Sequence, residues 1–252
     1  MSGLPENCLQ PDWPAPDNIL AFTSLRAGGV SDAPYNSWNL ADHVGDRQSA
    51  VASNRKRLAE LLPDGAHMHW LQQVHGNDIH QPAASEQLTV PEGDAWYCRQ
   101  TEQACCILTA DCLPILICDR QGQQVAAVHA GWRGVANQLL TKVMRQFNCP
   151  ADQLLVWLGP GISFSHFRVG NDVRDILLGT VQASLAEAYR EDSEEGFSYV
   201  DLVCIVRAQC LAFGVPKVYG GEYCTFSDGK RYYSYRRDKV TGRNVSLILR
   251  RE

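Results

Sequence analysis

Apolar and polar positions alternate in blocks along this chain, and the blocks predict its elements. Ile115–Cys118 and Val125–Ala130 are apolar runs of strand length, separated by Asp119-Arg120-Gln121-Gly122. Such runs around turn chemistry predict a tight β-hairpin folded about Arg120/Gln121. Leu20–Ser24, Trp70–Val74, Cys105–Thr109 and Leu154–Leu158 read as further strands. In Gln48–Leu62, Val51, Leu58, Leu61 and Leu62 recur at helical spacing, and Pro63 closes the segment. Helical patterns also cover Val135–Phe147, Val169–Ala188 with a Gly179 interruption, and Asp201–Phe213. An acidic loop, Glu191–Glu195, precedes the last of these. The tail reads as two strands, Tyr232–Arg237 and Asn244–Leu249, around Lys239–Arg243.

Strands and helices alternate irregularly, so the expected fold is α/β (α+β): a mixed sheet between helical layers. The expectation is a single domain over 1–252, with an irregular lead-in over about 1–17. No GxGxxG or GxxxxGK occurs, which argues against a dinucleotide or P-loop fold.

Composition narrows the class. A net charge of -5 carries no nucleic-acid footprint, although a few local arginines could still hold a small anion. The first twenty residues lack a basic start followed by an apolar stretch, and no apolar run reaches membrane-spanning length. Ten cysteines without a secretory signal suggest free thiols in the cytoplasm. Cys105, Cys106, Cys118, Cys204 and Cys210 lie among aliphatic residues as small hydrophobes, and no CxxC pair suggests a zinc ribbon. The absence of heptads leaves a monomer as the expectation.

The hairpin carries the candidate chemistry. Facing residues in an antiparallel pair have a nearly constant index sum, so Cys112 falls near His129. Alone, Cys112 reads as a half-buried thiol and His129 as readily as a core histidine; together they suit a zinc or copper ion, or a thiol nucleophile with its base. A third ligand is best supplied by His75, which ends an apolar segment before Gly76. His43 comes next; the His67/His69 pair reads as solvated surface. Asp111, beside Cys112, is the nearest acid for proton transfer, and equally a turn cap. For a small anion, Arg26, Arg133 and Arg236/Arg237 are the cationic candidates, with Arg133 favoured because it follows His129 and precedes a helix.

Arg26-Ala-Gly-Gly-Val-Ser31, Tyr35-Asn-Ser-Trp-Asn-Leu40, Gln73-Val-His-Gly76, Gly93-Asp-Ala95, Thr109-Ala-Asp-Cys112, His129-Ala-Gly-Trp-Arg-Gly134 and Tyr235-Arg-Arg237 with Thr241-Gly-Arg243 resemble the bacterial YfiH family, also called the multicopper polyphenol oxidase or laccase-domain family. The resemblance implies a three-layer α/β/α domain with a metal held by His75, Cys112 and His129, usually zinc. It implies phosphorolysis of adenosine, inosine and methylthioadenosine and deamination of adenosine, with Arg26, Asn39, His43, Arg133 and Arg236 as substrate-binding candidates. Copper-dependent phenol oxidation and peptidoglycan-precursor editing are the other activities attached to the family. A metal-free cysteine hydrolase and a metal-stapled binding module stay open beside them. Relatives often carry an acid where this chain has Arg168.

Overall fold

The apolar runs condense into strands buried on both faces. The computed structural model describes residues 4–82, 89–181 and 185–252. The hairpin forms from Leu113–Asp119 and Val125–Ala130, every residue of which is buried. Its turn closes at Gly122, whose φ of 64° a residue without Cβ adopts freely. The Asp119 carboxylate caps the turn, accepting from the Gln123 and Gln124 amides at 2.7 and 3.1 Å.

The pairing register corrects the sequence expectation. Pro114 faces His129 and Leu113 faces Ala130, so the hairpin folds about Gln121 and Gly122. Cys112 therefore lies just beyond the ladder, and proximity to His129 comes from the loop rather than from direct pairing.

The hairpin is central in a six-stranded sheet. Its order is Val218–Gly220, Leu154–Leu158, Leu113–Asp119, Val125–Ala130, Ala95–Cys98 and Ile79–His80. A five-stranded sheet runs Cys8–Leu9, Ile19–Ser24, Asn244–Arg250, Gln103–Thr109 and His67–His69. Both sheets are mixed, with parallel pairs at their edges.

Period-two alternation explains how the layers stack. Leu116, Trp96 and Trp157 of one sheet meet Ala21, Cys105, Ile107 and Ile248 of the other. Ile115, Ile117 and Val128 point the opposite way, toward Val135, Leu139, Val143, Ile205 and Val206 of the helical layer. On the far side, Phe22, Cys106 and Leu247 pack with Leu58 of the helix Gln48–Ala59. Each fully buried Leu, Ile, Val or Phe among these contributes about 1.5–3 kcal/mol. The expected mixed sheet between helical layers holds, with two stacked sheets forming the middle.

Four local expectations change. The helix expected over Val135–Phe147 is two short ones, Trp132–Ala136 and Leu139–Met144, broken where Gln138 takes φ 58° and its side chain donates to the Thr180 carbonyl. Trp70–Val74 is not a strand; the Gln73 side chain bonds both the amide and the carbonyl of Leu108 at 2.8 Å, taking a neighbouring strand's place. In place of the strand expected over Tyr232–Arg237, a buried irregular segment, 232–234, leads into a short helix, Tyr235–Asp238, capped by the Ser234 hydroxyl. Within Val169–Ala188 the helix covers Asn171–Leu178, flanked by a small antiparallel sheet of Arg168–Gly170, Phe197–Val200 and Tyr189–Glu191. Residues 182–184 of that expectation, and 1–3 of the lead-in, lie outside the described residues. Among the described residues no helix is long and apolar enough to cross a membrane.

Candidate metal centre

One buried carboxylate organises the site. Asp94 is fully buried beside the strand Ala95–Cys98. Its oxygens accept from the amides of Val74, His75 and Gly76 at 3.3, 3.0 and 2.7 Å. That wrap holds His75 at φ 60°, and its exposed ring faces the end of the hairpin. The Asp94 carbonyl accepts from the His129 amide at 2.8 Å, and its carboxylate meets His129 Nδ1 at 2.7 Å. A carboxylate is an acceptor, so the proton sits on Nδ1 and Nε2 is directed at the cluster.

His75, Cys112 and His129 each offer one ligand atom, and these atoms all lie within 4.8 Å of one another. Cys112 Sγ is 3.7 Å from His75 Nε2. Tetrahedral zinc, with bonds of about 2.3 Å to sulfur and about 2.0 Å to nitrogen, would place such a pair roughly 3.5 Å apart. The donor set and spacing therefore fit a soft or borderline divalent ion.

Electrostatics favour the ligating form of the thiol. Burial works against a thiolate at Cys112, but the His129 charge and hydrogen bonds from His129 and His75 outweigh it and bring its pKa to about 6. Burial also disfavours the charged form of His129; the opposing influence of Cys112 and Asp94 raises it to about 9. Burial would lift Asp94, yet hydrogen bonding and the charge of His129, with the Gly76 and His75 amides, hold it below the ordinary carboxylate value. A metal ion held by the cluster would take the place of the His129 Nε2 proton.

The cluster opens on a cleft of about 350 Å³. His43, Asp111, Tyr235, Arg236 and Arg243 line it, with Trp132, Ile162, Phe167 and Leu202 as apolar wall. Polar atoms against aromatic surface suit a flat ring bearing a polar group.

The sequence candidates divide. His75, Cys112, His129, Asp111, His43 and Arg236 share this cleft. Asp111 accepts from the Thr225 hydroxyl at 2.7 Å and the Arg236 amide at 2.6 Å, so both oxygens hold neighbouring segments in place. Arg26, Asn39 and Arg133 stand outside the lining. Arg26 bonds Asn36 and Gly229 and pairs with Asp238. Asn39 is fully buried, bonding Ala41, Asp46 and the Arg243 amide. Arg133 is exposed and stacks 4.4 Å over the ring of Trp132, the first residue of its helix. Arg168 is also outside, paired with Asp192 and Glu194.

Asp94 and Arg243 are the site residues that residue-by-residue reasoning missed. Both lie in segments that resemble the family, Gly93-Asp-Ala95 and Thr241-Gly-Arg243, which was the available signal.

Gly131 keeps the cluster closed. A Cβ there would sit 2.9 Å from His75 Cδ2 and 3.3 Å from Cys112 Sγ, although its backbone conformation suits any residue. Gly131→Ala is expected to weaken metal binding roughly tenfold, the effect of an overpacking cost of about 1.4 kcal/mol, with the fold retained. Metal titration with circular dichroism checks this; undiminished affinity rules the contact out.

The profile of the multi-copper polyphenol oxidoreductase laccase family matches residues 20–251. A purine nucleoside phosphorylase of Pseudomonas aeruginosa is 45% identical over 240 residues, 95% of this chain and 97% of that protein. Purine nucleoside phosphorylase YfiH of Escherichia coli is 39% identical, covering 94% of this chain and 96% of its own. The solved structure of Neisseria meningitidis protein NMB0706 matches with a TM-score of 0.91 at 39% identity, covering 98% of this chain and 100% of that one.

Proposed function

The chain belongs to the multi-copper polyphenol oxidoreductase laccase family, and from that premise we propose that it is a zinc-dependent purine nucleoside phosphorylase that also deaminates adenosine. The observation that carries this reading is the convergence of His75, Cys112 and His129 on the wall of an apolar cleft. Relatives bearing the purine nucleoside phosphorylase name along nearly the whole chain support it.

A divalent ion bound there would supply Lewis acidity. The chain's own residues do the rest. Cys112 and the two imidazoles would hold the ion, and Asp94 keeps the His129 proton on Nδ1. Trp132, Phe167 and Tyr235 offer surface against which a purine can lie and exclude water. Asp111, committed to Thr225 and Arg236, acts as a positioning residue. Exposed His43 in the lining would contact the nucleoside.

The reading includes one catalytic domain over residues 1–252, acting as a cytoplasmic monomer on small molecules. The ten cysteines are all free, which suits a reducing compartment. Copper oxidation of phenols is the second reading, favoured by the family description and by donors that suit copper as well. Among the described residues, His75–Cys112–His129 is the one such group of three or more ligand-type side chains, which supports a single metal over a multicopper cluster.

Metal analysis of untagged protein, paired with product analysis from adenosine, tests the choice. The expected result is about one zinc per chain, adenine formed only when phosphate is present, and inosine formed without it. Several coppers per chain with matching phenol turnover would install the oxidase reading instead.

A further inference from the structure

Two arginines line the cleft, Arg236 and Arg243. Each is anchored to main-chain carbonyls through Nη1. Arg236 donates to His166 and Arg168 at 3.4 and 2.9 Å, and Arg243 to Thr241 and Gly242 at 2.9 and 3.0 Å. The Arg243 amide donates to buried Asn39 Oδ1 at 2.9 Å, which fixes the loop that carries it.

Neither arginine has a carboxylate within ion-pair distance among the described residues, whereas adjacent Arg237 pairs with Asp238 at 2.8 Å. The cleft's own carboxylate, Asp111, is taken up by the Thr225 hydroxyl and the Arg236 amide. Cations in a confined apolar cleft with N–H groups to spare are unfavourable until an anion completes them. A guanidinium fork matches two oxygens of a tetrahedral oxyanion, and two forks match a dianion. The chain as a whole, at net charge -5, offers anions little general attraction.

Building on the proposed function, we propose that Arg243, acting with Arg236, forms the subsite that binds inorganic phosphate beside the His75–Cys112–His129 cluster. In phosphorolysis a phosphate oxygen bonds to the anomeric carbon of the sugar as the bond to the purine nitrogen breaks. The bonding pair leaves with the purine, which takes the proton of hydrogen phosphate. Holding that oxygen ready is the task of the two forks.

The test uses the full-length, metal-loaded protein. Arg243→Ala is expected to raise the KM for phosphate about tenfold to a hundredfold, the range for a lost charge-assisted hydrogen bond. The KM for inosine and the phosphate-free deamination of adenosine should move less than about threefold. Arg243→Lys keeps the charge without the fork and should recover part of the loss. Exposed Arg145→Ala serves as the charge control and should change nothing. Inorganic phosphate alone should raise the thermal midpoint of the wild-type protein saturably, and Arg243→Ala should abolish that rise.

An unchanged phosphate KM in Arg243→Ala, an equal rise in both KM values, or no saturable phosphate effect overturns the subsite. The phosphate titration needs no turnover, so it separates the two ideas. Phosphate binding through Arg243 without nucleoside turnover would sink the functional reading alone. Phosphorolysis indifferent to Arg243→Ala would sink the subsite alone.

Discussion

Cys112→Ala and His75→Ala are each expected to strip the bound metal and cut nucleoside turnover roughly a thousandfold or more, equivalent to about 4 kcal/mol of transition-state stabilisation. Both proteins should remain folded. His75 is exposed and its side chain serves the cluster, while its backbone stays tied to Asp94. Cys112 lies beyond the hairpin ladder, so its truncation leaves every strand pair intact. His129→Ala should differ from these two. His129 is 3% exposed and hydrogen-bonds the buried Asp94 carboxylate, so removing it leaves that charge without its partner. A destabilisation of about 3–5 kcal/mol should accompany its loss of metal. Metal content, turnover and thermal unfolding of the three variants distinguish these outcomes. Full metal and normal turnover in Cys112→Ala and His75→Ala would end the case for the centre, and equal stability in all three would show that the Asp94–His129 bond carries no load.

Asp94→Asn should have the second large effect, although Asp94 touches neither the cleft nor, on this reading, the ion. Its carboxylate accepts three backbone amides and the His129 ring N–H. An asparagine of the same shape has one acceptor oxygen and turns an NH₂ toward donors that need acceptors. The loss of a buried charged partner should cost about 3–5 kcal/mol, lowering the thermal midpoint by roughly 6–20 °C in a chain of this size. Metal affinity should fall about 10–100-fold, because the His129 tautomer and ring orientation are no longer held. Calorimetric unfolding and metal competition with a chelator measure both. If Asp94→Asn binds metal as tightly as the wild type, His129 is oriented by something else.

The elements most open to sequence reading were those with local causes. The hairpin Leu113–Asp119/Val125–Ala130 follows from two apolar runs and one turn, and the helix Leu202–Phe213 from its spacing and the Asp201 cap. Tyr232 and Tyr233 illustrate the failure. Both are fully buried, which imitates a strand pattern, yet they lie in an irregular segment that leads into the helix Tyr235–Asp238. Trp70–Val74 misled in the same way, because Gln73 satisfies the strand edge with its side chain instead of its backbone.

The same division runs through the site. His75, Cys112 and His129 were legible because thiol and imidazole groups at strand ends are rare and chemically pointed. The choice among arginines was not legible, since Arg26, Arg133, Arg236 and Arg243 are chemically identical until the fold distributes their partners. Arg26 is taken up by Asn36 and Asp238, Arg133 lies on its own tryptophan, and Arg236 and Arg243 keep donors for the cleft.

By itself the sequence determined the α/β class, the longer strands and helices, and the three side chains that can grip an ion, because short-range periodicity and side-chain chemistry are enough for these. Only the tertiary structure decided the stacking of two sheets, the part played by Asp94, and which cations face the cleft. Those depend on burial and on hydrogen bonds between residues far apart in the chain, and an aspartate or arginine acquires its role from the partners that folding brings to it.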